Sequence, residues 1–122
     1  MSRRIAITLG DPGGIGPDIC VMMAKSIITR NHIFITDPKL LLDSSKKLKV
    51  EIKINLLKTV RSKTLSGSGV INVYPLNLRS KNKPGYMNPK NAPFVIDSIQ
   101  TAAEGCMRGD FNAMVTGPIS KS

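Results

Sequence analysis

The chain has 122 residues, enough for one domain with a buried core, and 41% of them are hydrophobic. Its 18 basic and eight acidic residues give a formal net charge of +10, which raises the question of a nucleic-acid partner. The basic residues are not interleaved with aromatic side chains that could stack on bases, and no zinc-finger spacing is present. The composition therefore favours a solvated, lysine-rich surface over nucleic-acid binding.

The location of the protein is indicated by its ends and its cysteines. The amino terminus enters a short strand directly, and no apolar run approaches the length of a membrane span. Cys20 and Cys106 lie far apart, in two predicted helices. Without a secretory signal they indicate reduced thiols, so we expect a cytoplasmic protein with no membrane partner.

Strands and helices alternate along the chain in the hydrophobic pattern. This order predicts an α/β fold, with a mostly parallel sheet and helices on both of its faces. The predicted elements are a strand at 5–9, a helix after the glycine loop with Pro17 in its first turn, a strand at 32–36, a short helix opened by Asp37 and Pro38, a half-exposed edge strand at 50–56, a strand at 70–74, a helix from Pro89 capped by Asn88 and ended by Gly109, and a strand at 113–115.

Each of the two longer helices carries an apolar stripe that we expect to pack on the sheet. In the first helix the methionines of this stripe are interpreted as core filler. The first stripe is Ile15, Ile19, Met22, Met23, Ser26 and Ile27, and the second is Ala92, Val95, Ile96, Ile99, Ala102, Ala103 and Cys106.

Two polar, glycine-containing loops follow predicted strands, at 10–18 and at 116–121. Ligands of parallel α/β sheets gather at the carboxyl ends of the strands, where such loops lie. The first loop could be a tight turn or an anion cradle at a helix amino terminus. In the second, Lys121 could hold a phosphate or a carboxylate, or be solvated.

A dinucleotide-binding fingerprint is one interpretation of the first loop, because Asp37 follows the second strand where a ribose-binding acid would stand. Against it, the third glycine of the fingerprint would fall at Ile19, and Pro12 and Pro17 remove two amide donors. Asp37 also has an alternative role as a helix cap before Pro38. His32 is the sole histidine, so neither a metal site nor an activated nucleophile is predicted.

Two segments resemble the signatures of the 4-hydroxythreonine-4-phosphate dehydrogenase family. Residues 7–18, ITLGDPGGIGPD, are similar to its opening signature, with Gly13 in place of the usual alanine. Residues 113–121, AMVTGPISK, are similar to a second signature, a strand that runs into Thr-(Gly/Ala)-Pro-(Ile/Val)-x-Lys. The segment at 105–111 also resembles the residues that precede it, so the resemblance covers essentially the whole chain.

The resemblance implies a fold related to isocitrate and isopropylmalate dehydrogenases. It implies NAD-dependent oxidation of 4-phosphooxy-threonine followed by loss of CO2, on the route to pyridoxal 5′-phosphate. It also implies a divalent metal (Zn, Mg or Co) held by three histidines, and a homodimer with shared active sites. The residues that it places along the cleft, toward a phosphorylated substrate, are Gly10, Asp11, Gly14, Gly16, Thr116, Gly117 and Lys121.

The chain also departs from the family. Family members are well over twice as long, and their Gly-His-Thr motif, metal histidines and phosphate-binding residues lie downstream of the second signature. We therefore interpret residues 1–122 as the N-terminal α/β portion of a longer two-domain dehydrogenase, inactive alone and without assignable catalytic or metal-binding residues. The alternatives are a small basic module that binds anions or nucleic acid, and a self-contained Rossmann-type NAD-binding domain.

Overall fold

Five parallel strands form a single sheet in the order β3-β4-β2-β1-β5. The computed structural model describes residues 3–26, 31–77 and 89–117. The predicted order of elements is confirmed. The elements are β1 (Ile5–Thr8), α1 (Gly16–Ser26), β2 (His32–Thr36), α2 (Pro38–Leu48), β3 (Lys53–Leu56), β4 (Val70–Pro75), a 3-10 turn (Pro89–Asn91), α3 (Ala92–Met107) and β5 (Ala113–Thr116).

Helices cover both faces of the sheet, as predicted. Successive residues of a strand point to opposite faces, so Ala6 and Ile7 of β1 enter different cores. Ile7 packs against the cluster that contains residues of α1 and α2, whereas Ala6 belongs to the cluster that contains Ala102 of α3. Helices α1 and α2 thus lie on one face and α3 on the other.

The prediction for the apolar stripe of α1 is wrong. Ile15, Ile19, Met22 and Met23 are 62%, 42%, 57% and 38% exposed, so the methionines are not core filler. The side that faces the sheet is built from small residues four positions apart, with a Cβ on Gly16 overlapping the carbonyl oxygen of Leu9. Small residues let a helix approach a strand closely, which turns the larger side chains outward. The buried residues are Cys20, Val21 and Ala24, and residue 27 lies outside the described residues.

Helix α3 differs from the prediction at its start and in part of its face. It begins at Ala92 after the 3-10 turn, with Asn91 as its N-cap residue, while residue 88 lies outside the described residues. Ile96 is 62% exposed instead of buried. The end is as predicted, because Gly109 has a φ of 83°, which suits glycine after a helix. The buried side consists of Phe94, Val95, Ser98, Ala102 and Gly105.

The connection from β3 to β4 is held in place by polar contacts. The buried side chain of Asn72 accepts from the Leu65 amide and donates to the Leu65 carbonyl, both at 2.9 Å. At the amino-terminal edge of the sheet, Arg61 from this connection pairs with the buried Asp110, which also accepts from Arg108 at 3.1 Å. The connection is therefore tied both to β4 and to the turn before β5.

Asp110 predicts an acid-sensitive contribution to stability. Its hydrogen bond from Arg61, supported by Arg108, holds the pKa of Asp110 below its usual value. A carboxylate with a lowered folded-state pKa stabilises the fold fully above its unfolded pKa of about 4, and this contribution is lost as pH falls through the lower, folded value. We expect Asp110→Asn to lower the free energy of unfolding at pH 7 and the deficit to shrink by pH 3, in urea titrations at both pH values.

Asp43→Asn, at an exposed position on α2, is the matched control and should leave stability unchanged at both pH values. A deficit for Asp110→Asn that stays constant from pH 7 to pH 3 would show that the side chain acts by packing and not by charge.

Candidate site at the carboxyl ends of β1 and β5

The loop between β1 and α1 is shaped by its own aspartate. Gly10 has a φ of 75°, a left-handed conformation that favours glycine and turns the chain out of the strand. The Asp11 carboxylate then accepts a hydrogen bond from the Gly13 amide at 2.8 Å, and the Asp11 carbonyl accepts from the Gly14 amide at 2.9 Å. These two bonds fold residues 11–14 into a compact turn.

The same bonds weaken the interpretation of this loop as an anion cradle. Such a cradle needs several amide N–H groups that point at one ligand. Here the amides of Gly13 and Gly14 already donate to Asp11, and Pro12 and Pro17 have no amide hydrogen. Residues 12, 13, 14 and 17 therefore offer no free amide N–H group to an anion.

The end of β5 lies directly against this loop. Thr116 pairs in register with Thr8, and the Gly117 amide donates to the Thr8 carbonyl at 2.8 Å. A Cβ on Gly117 would lie 2.7 Å from the carbonyl carbon and oxygen of Leu9 and 3.1 Å from the Gly10 nitrogen. The two glycine-containing segments therefore meet, because only glycine leaves room for the backbones to touch.

The predicted cleft residues thus fall into two groups. Those of the first loop and the end of β5 come together at one edge of the sheet, with Gly10 and Gly16 buried and Gly14 and Thr116 exposed. Lys121 lies outside the described residues, so its predicted place beside the substrate stays a prediction.

This junction is also a topological switch point. The chain leaves β1 through α1 on one face of the sheet, whereas it reaches β5 through α3 on the opposite face. Strand β1 lies between β2 and β5, so the connections diverge on either side of it. Open α/β sheets bind ligands outside the carboxyl ends of the strands at such a point, which makes this edge the candidate site.

On its outer side the loop borders a recess of about 130 Å³ between α1 and α2, whose polar lining residues are Asp18, Asp43, Ser44 and Lys47. Lys47 pairs with Asp18 at 2.6 Å. Burial acts to raise the pKa of Asp18, but hydrogen bonds from Lys47 and Ser44 outweigh it and hold the pKa below its usual value. The sequence carries no signal for these contacts, because they join positions on two different helices.

The described residues do not fit a Rossmann-type nucleotide site. The Asp37 carboxylate accepts from the Lys39 amide at 3.0 Å and caps α2, which is the alternative that the sequence left open. At the position of the third fingerprint glycine, Ile19 is 42% exposed on α1. The group that would hold a ribose is thus engaged at a helix start.

The described residues do not fit a divalent metal site either. Within residues 3–26, 31–77 and 89–117, no three His, Cys, Asp or Glu side chains are grouped to hold an ion. His32 is the first residue of β2, so it lies at the amino ends of the strands, whereas the candidate site lies at their carboxyl ends. Burial raises the pKa of the Cys20 thiol to about 12, so this thiol stays protonated at neutral pH. In the same ranges, no helix is long and apolar enough to cross a bilayer.

Comparison with known proteins identifies the family. The family model of the pyridoxal phosphate biosynthetic protein PdxA matches residues 29–122, well over half of the chain. The chain belongs to the PdxA family. The resemblance predicted from its two signatures is confirmed.

Curated relatives of this PdxA-family chain are named 4-hydroxythreonine-4-phosphate dehydrogenases. One from Saccharophagus degradans is 37% identical over 118 residues, which cover 97% of this chain and 35% of the relative. One from Methylococcus capsulatus is 32% identical over 122 residues, which cover 100% and 37%. The chain therefore spans just over a third of the length of these relatives.

Solved structures share the fold of this PdxA-family chain. A 4-hydroxythreonine-4-phosphate dehydrogenase from Burkholderia phymatum superposes with a TM-score of 0.86 at 25% identity, over 99% of this chain and 38% of its own. A putative one from Salmonella typhimurium gives a TM-score of 0.87 over 98% of this chain and 39% of its own, at 24% identity. The prediction of an incomplete α/β fold of this family is confirmed.

Gly16 offers a direct test of the close contact between α1 and β1. We expect Gly16→Ala to lower the free energy of unfolding by about 2 kcal/mol or more, because the added methyl group overlaps the backbone oxygen of Leu9. Gly14→Ala, in the same loop, is the matched control: its Cβ would lie 3.2 Å from the Asp11 carbonyl oxygen, a contact that a small shift relieves. Equal losses in chemical denaturation would contradict the role given to Gly16.

Gly117 tests the contact between the two loops. We expect Gly117→Ala to displace the end of β5 from Leu9 and Gly10, since the new methyl group would approach their backbone atoms to 2.7–3.1 Å. Hydrogen exchange should then speed up at the Gly117 amide, which donates to Thr8, and stay unchanged at β4. Unchanged exchange at Gly117 would show that the junction tolerates a side chain.

Proposed function

We propose that this chain forms one wall of the active-site cleft of an NAD-dependent 4-hydroxythreonine-4-phosphate dehydrogenase. The observation that carries the proposal is the junction of the Gly10–Asp18 loop with Thr116 and Gly117. These are the two family signatures, and they meet at the switch point of the sheet. The names of the curated relatives support the activity.

The role of this wall is to shape the cleft and to position the substrate. The turn built on Asp11 and the backbone of Gly117 form one edge of the cleft. We assign to Lys121, four positions further along the sequence, the contact with the anionic phosphorylated substrate. A lysine ammonium suits a phosphate group as a point charge. NAD, when bound, would supply the hydride acceptor for the oxidation that precedes loss of CO2.

NAD and the divalent metal are held by groups outside residues 1–122. The sequence contains one histidine, His32, and it lies at the amino-terminal end of β2, away from the candidate site. The proposal also includes a homodimer with shared active sites and a cytoplasmic location. The unpaired cysteines, Cys20 and Cys106, agree with that location.

The proposal predicts activity that depends on the rest of the family's length. A chimera is made in which residues 1–122 replace the matching segment of the Saccharophagus degradans relative. With 4-phosphooxy-threonine, NAD and a divalent metal, we expect the chimera to form NADH and the 122-residue chain alone to form none. NADH formation by the 122-residue chain, or a folded chimera without activity, would contradict the proposal.

Lys121 supplies the test of the substrate contact. In the chimera, Lys121→Ala should raise KM for the phosphorylated substrate about tenfold, as expected for loss of one charged hydrogen bond. Lys58→Ala, at an exposed position beyond β3, is the matched loss of a lysine and should change neither KM nor kcat. Equal effects of the two substitutions would remove Lys121 from the site.

A further inference from the structure

An apolar surface beside the candidate site has no role in the proposed chemistry. It consists of Ile15 directly before α1, Ile19, Met22 and Met23 on α1, and Val115 on β5, and we name it the α1–β5 face. We infer that this face is the docking surface for the polypeptide that makes up the remaining length of PdxA-family proteins. The inference rests on family membership and not on the proposed activity.

Helix α1 is apolar on two sides. Positions 15, 19, 22 and 23 follow the spacing of one helix side, and the side chains there are between 38% and 62% exposed. The opposite side, with Cys20 and Ala24, is buried against the sheet. A helix that is apolar on both sides is typical of one that is buried on both sides.

The exposed side of α1 continues into a hollow next to β5. This hollow has a volume of about 190 Å³ and an almost wholly apolar lining. Val115, at its outer rim, is 55% exposed, although its neighbours in β1 lie in the core. The apolar side chains that line the hollow include Ile19, Met23 and Val115 of the α1–β5 face. Gly16, Thr116 and Gly117 also line it, so the hollow borders the candidate site directly.

The sheet itself is open at the same place. Strand β5 is the last strand in the sheet order, so its outer backbone groups face away from β1. An edge strand presents unpaired amide and carbonyl groups that can pair with another strand. At the opposite edge, β3 carries Lys53 and is the kind of edge that charge protects. The apolar edge beside α1 has no such protection.

The occupant is indicated by the lengths of the relatives. The Burkholderia phymatum dehydrogenase contains the same unit with a TM-score of 0.86, yet 99% of this chain accounts for only 38% of that protein. The remaining polypeptide must pack somewhere on the shared unit. A second copy of this chain is the alternative occupant, but it would not account for the remaining length of these relatives. The face has no basic side chain that would select an anionic partner.

Thiol accessibility tests this inference. Met23→Cys and Val115→Cys are each placed in the 122-residue chain and in the Saccharophagus degradans chimera, and the rate of maleimide labelling is measured. Leu42→Cys on α2 and Met107→Cys at the end of α3 are the controls, at positions that are 47% and 86% exposed. The unsubstituted proteins give the background from Cys20 and Cys106.

We expect labelling at positions 23 and 115 to be at least about tenfold slower in the chimera than in the 122-residue chain, because reaction then requires local opening. Labelling at positions 42 and 107 should be the same in both proteins. Equal labelling of all four positions would overturn the inference. Protection in the 122-residue chain that rises with concentration, together with a doubled mass, would also overturn it and assign the face to a second copy.

The chimera also gives a test that does not need a folded 122-residue chain. Within the chimera alone, labelling at position 23 should be at least about tenfold slower than at position 107, and equal rates would overturn the inference. Protection is read from labelling and not from turnover. A protected but inactive chimera would therefore contradict the proposed function and leave the docking surface standing.

Discussion

The backbone of Leu9 is closely packed on two sides. It lies between Gly16 at the start of α1 and Gly117 at the end of β5, and a side chain at either position would collide with its carbonyl group. Backbones can approach this closely only where no Cβ intervenes. The angle of α1, the position of β5 and the shape of the candidate site all depend on these two glycines.

The close packing of α1 on the sheet determines which of its side chains are exposed. Gly16, Cys20 and Ala24 are small residues spaced one per turn along the side that meets the sheet. Because the helix packs through them, its larger apolar residues turn away from the core. The contact that builds the cleft thus also creates the α1–β5 face beside it, so a single packing choice gives the unit both a site edge and a docking surface.

Several acidic side chains of this basic protein serve to position backbone and helices. Asp11 and Asp37 accept backbone amides, in the glycine loop and at the start of α2. Asp18 joins α1 to α2 through Lys47, and Asp110 joins the β3–β4 connection to the turn before β5 through Arg61. The lysines among the described residues are all exposed, which agrees with a solvated, lysine-rich surface.

Local patterns in the sequence determine much of this protein. The order of strands and helices follows from hydrophobic periodicity, and the end of α3 follows from Gly109. The paired signatures at 7–18 and 113–121 are sufficient to indicate the family, because their glycines and prolines stand at fixed offsets. The cap formed by Asp37 is also open to prediction, since a carboxylate before Pro38 has a local reason to be there.

Only the tertiary structure decided which side of α1 faces the core. Both sides of α1 are apolar in the sequence, so periodicity alone selects the larger residues, whereas close packing at Gly16 buries the smaller ones. On α3 the apolar pattern likewise predicts a buried Ile96, whereas the side chain is 62% exposed. The meeting of Gly117 with Leu9 and the pairing of Asp18 with Lys47 join positions distant in sequence. Such contacts depend on how strands are ordered in the sheet, and a local pattern carries no information on that order.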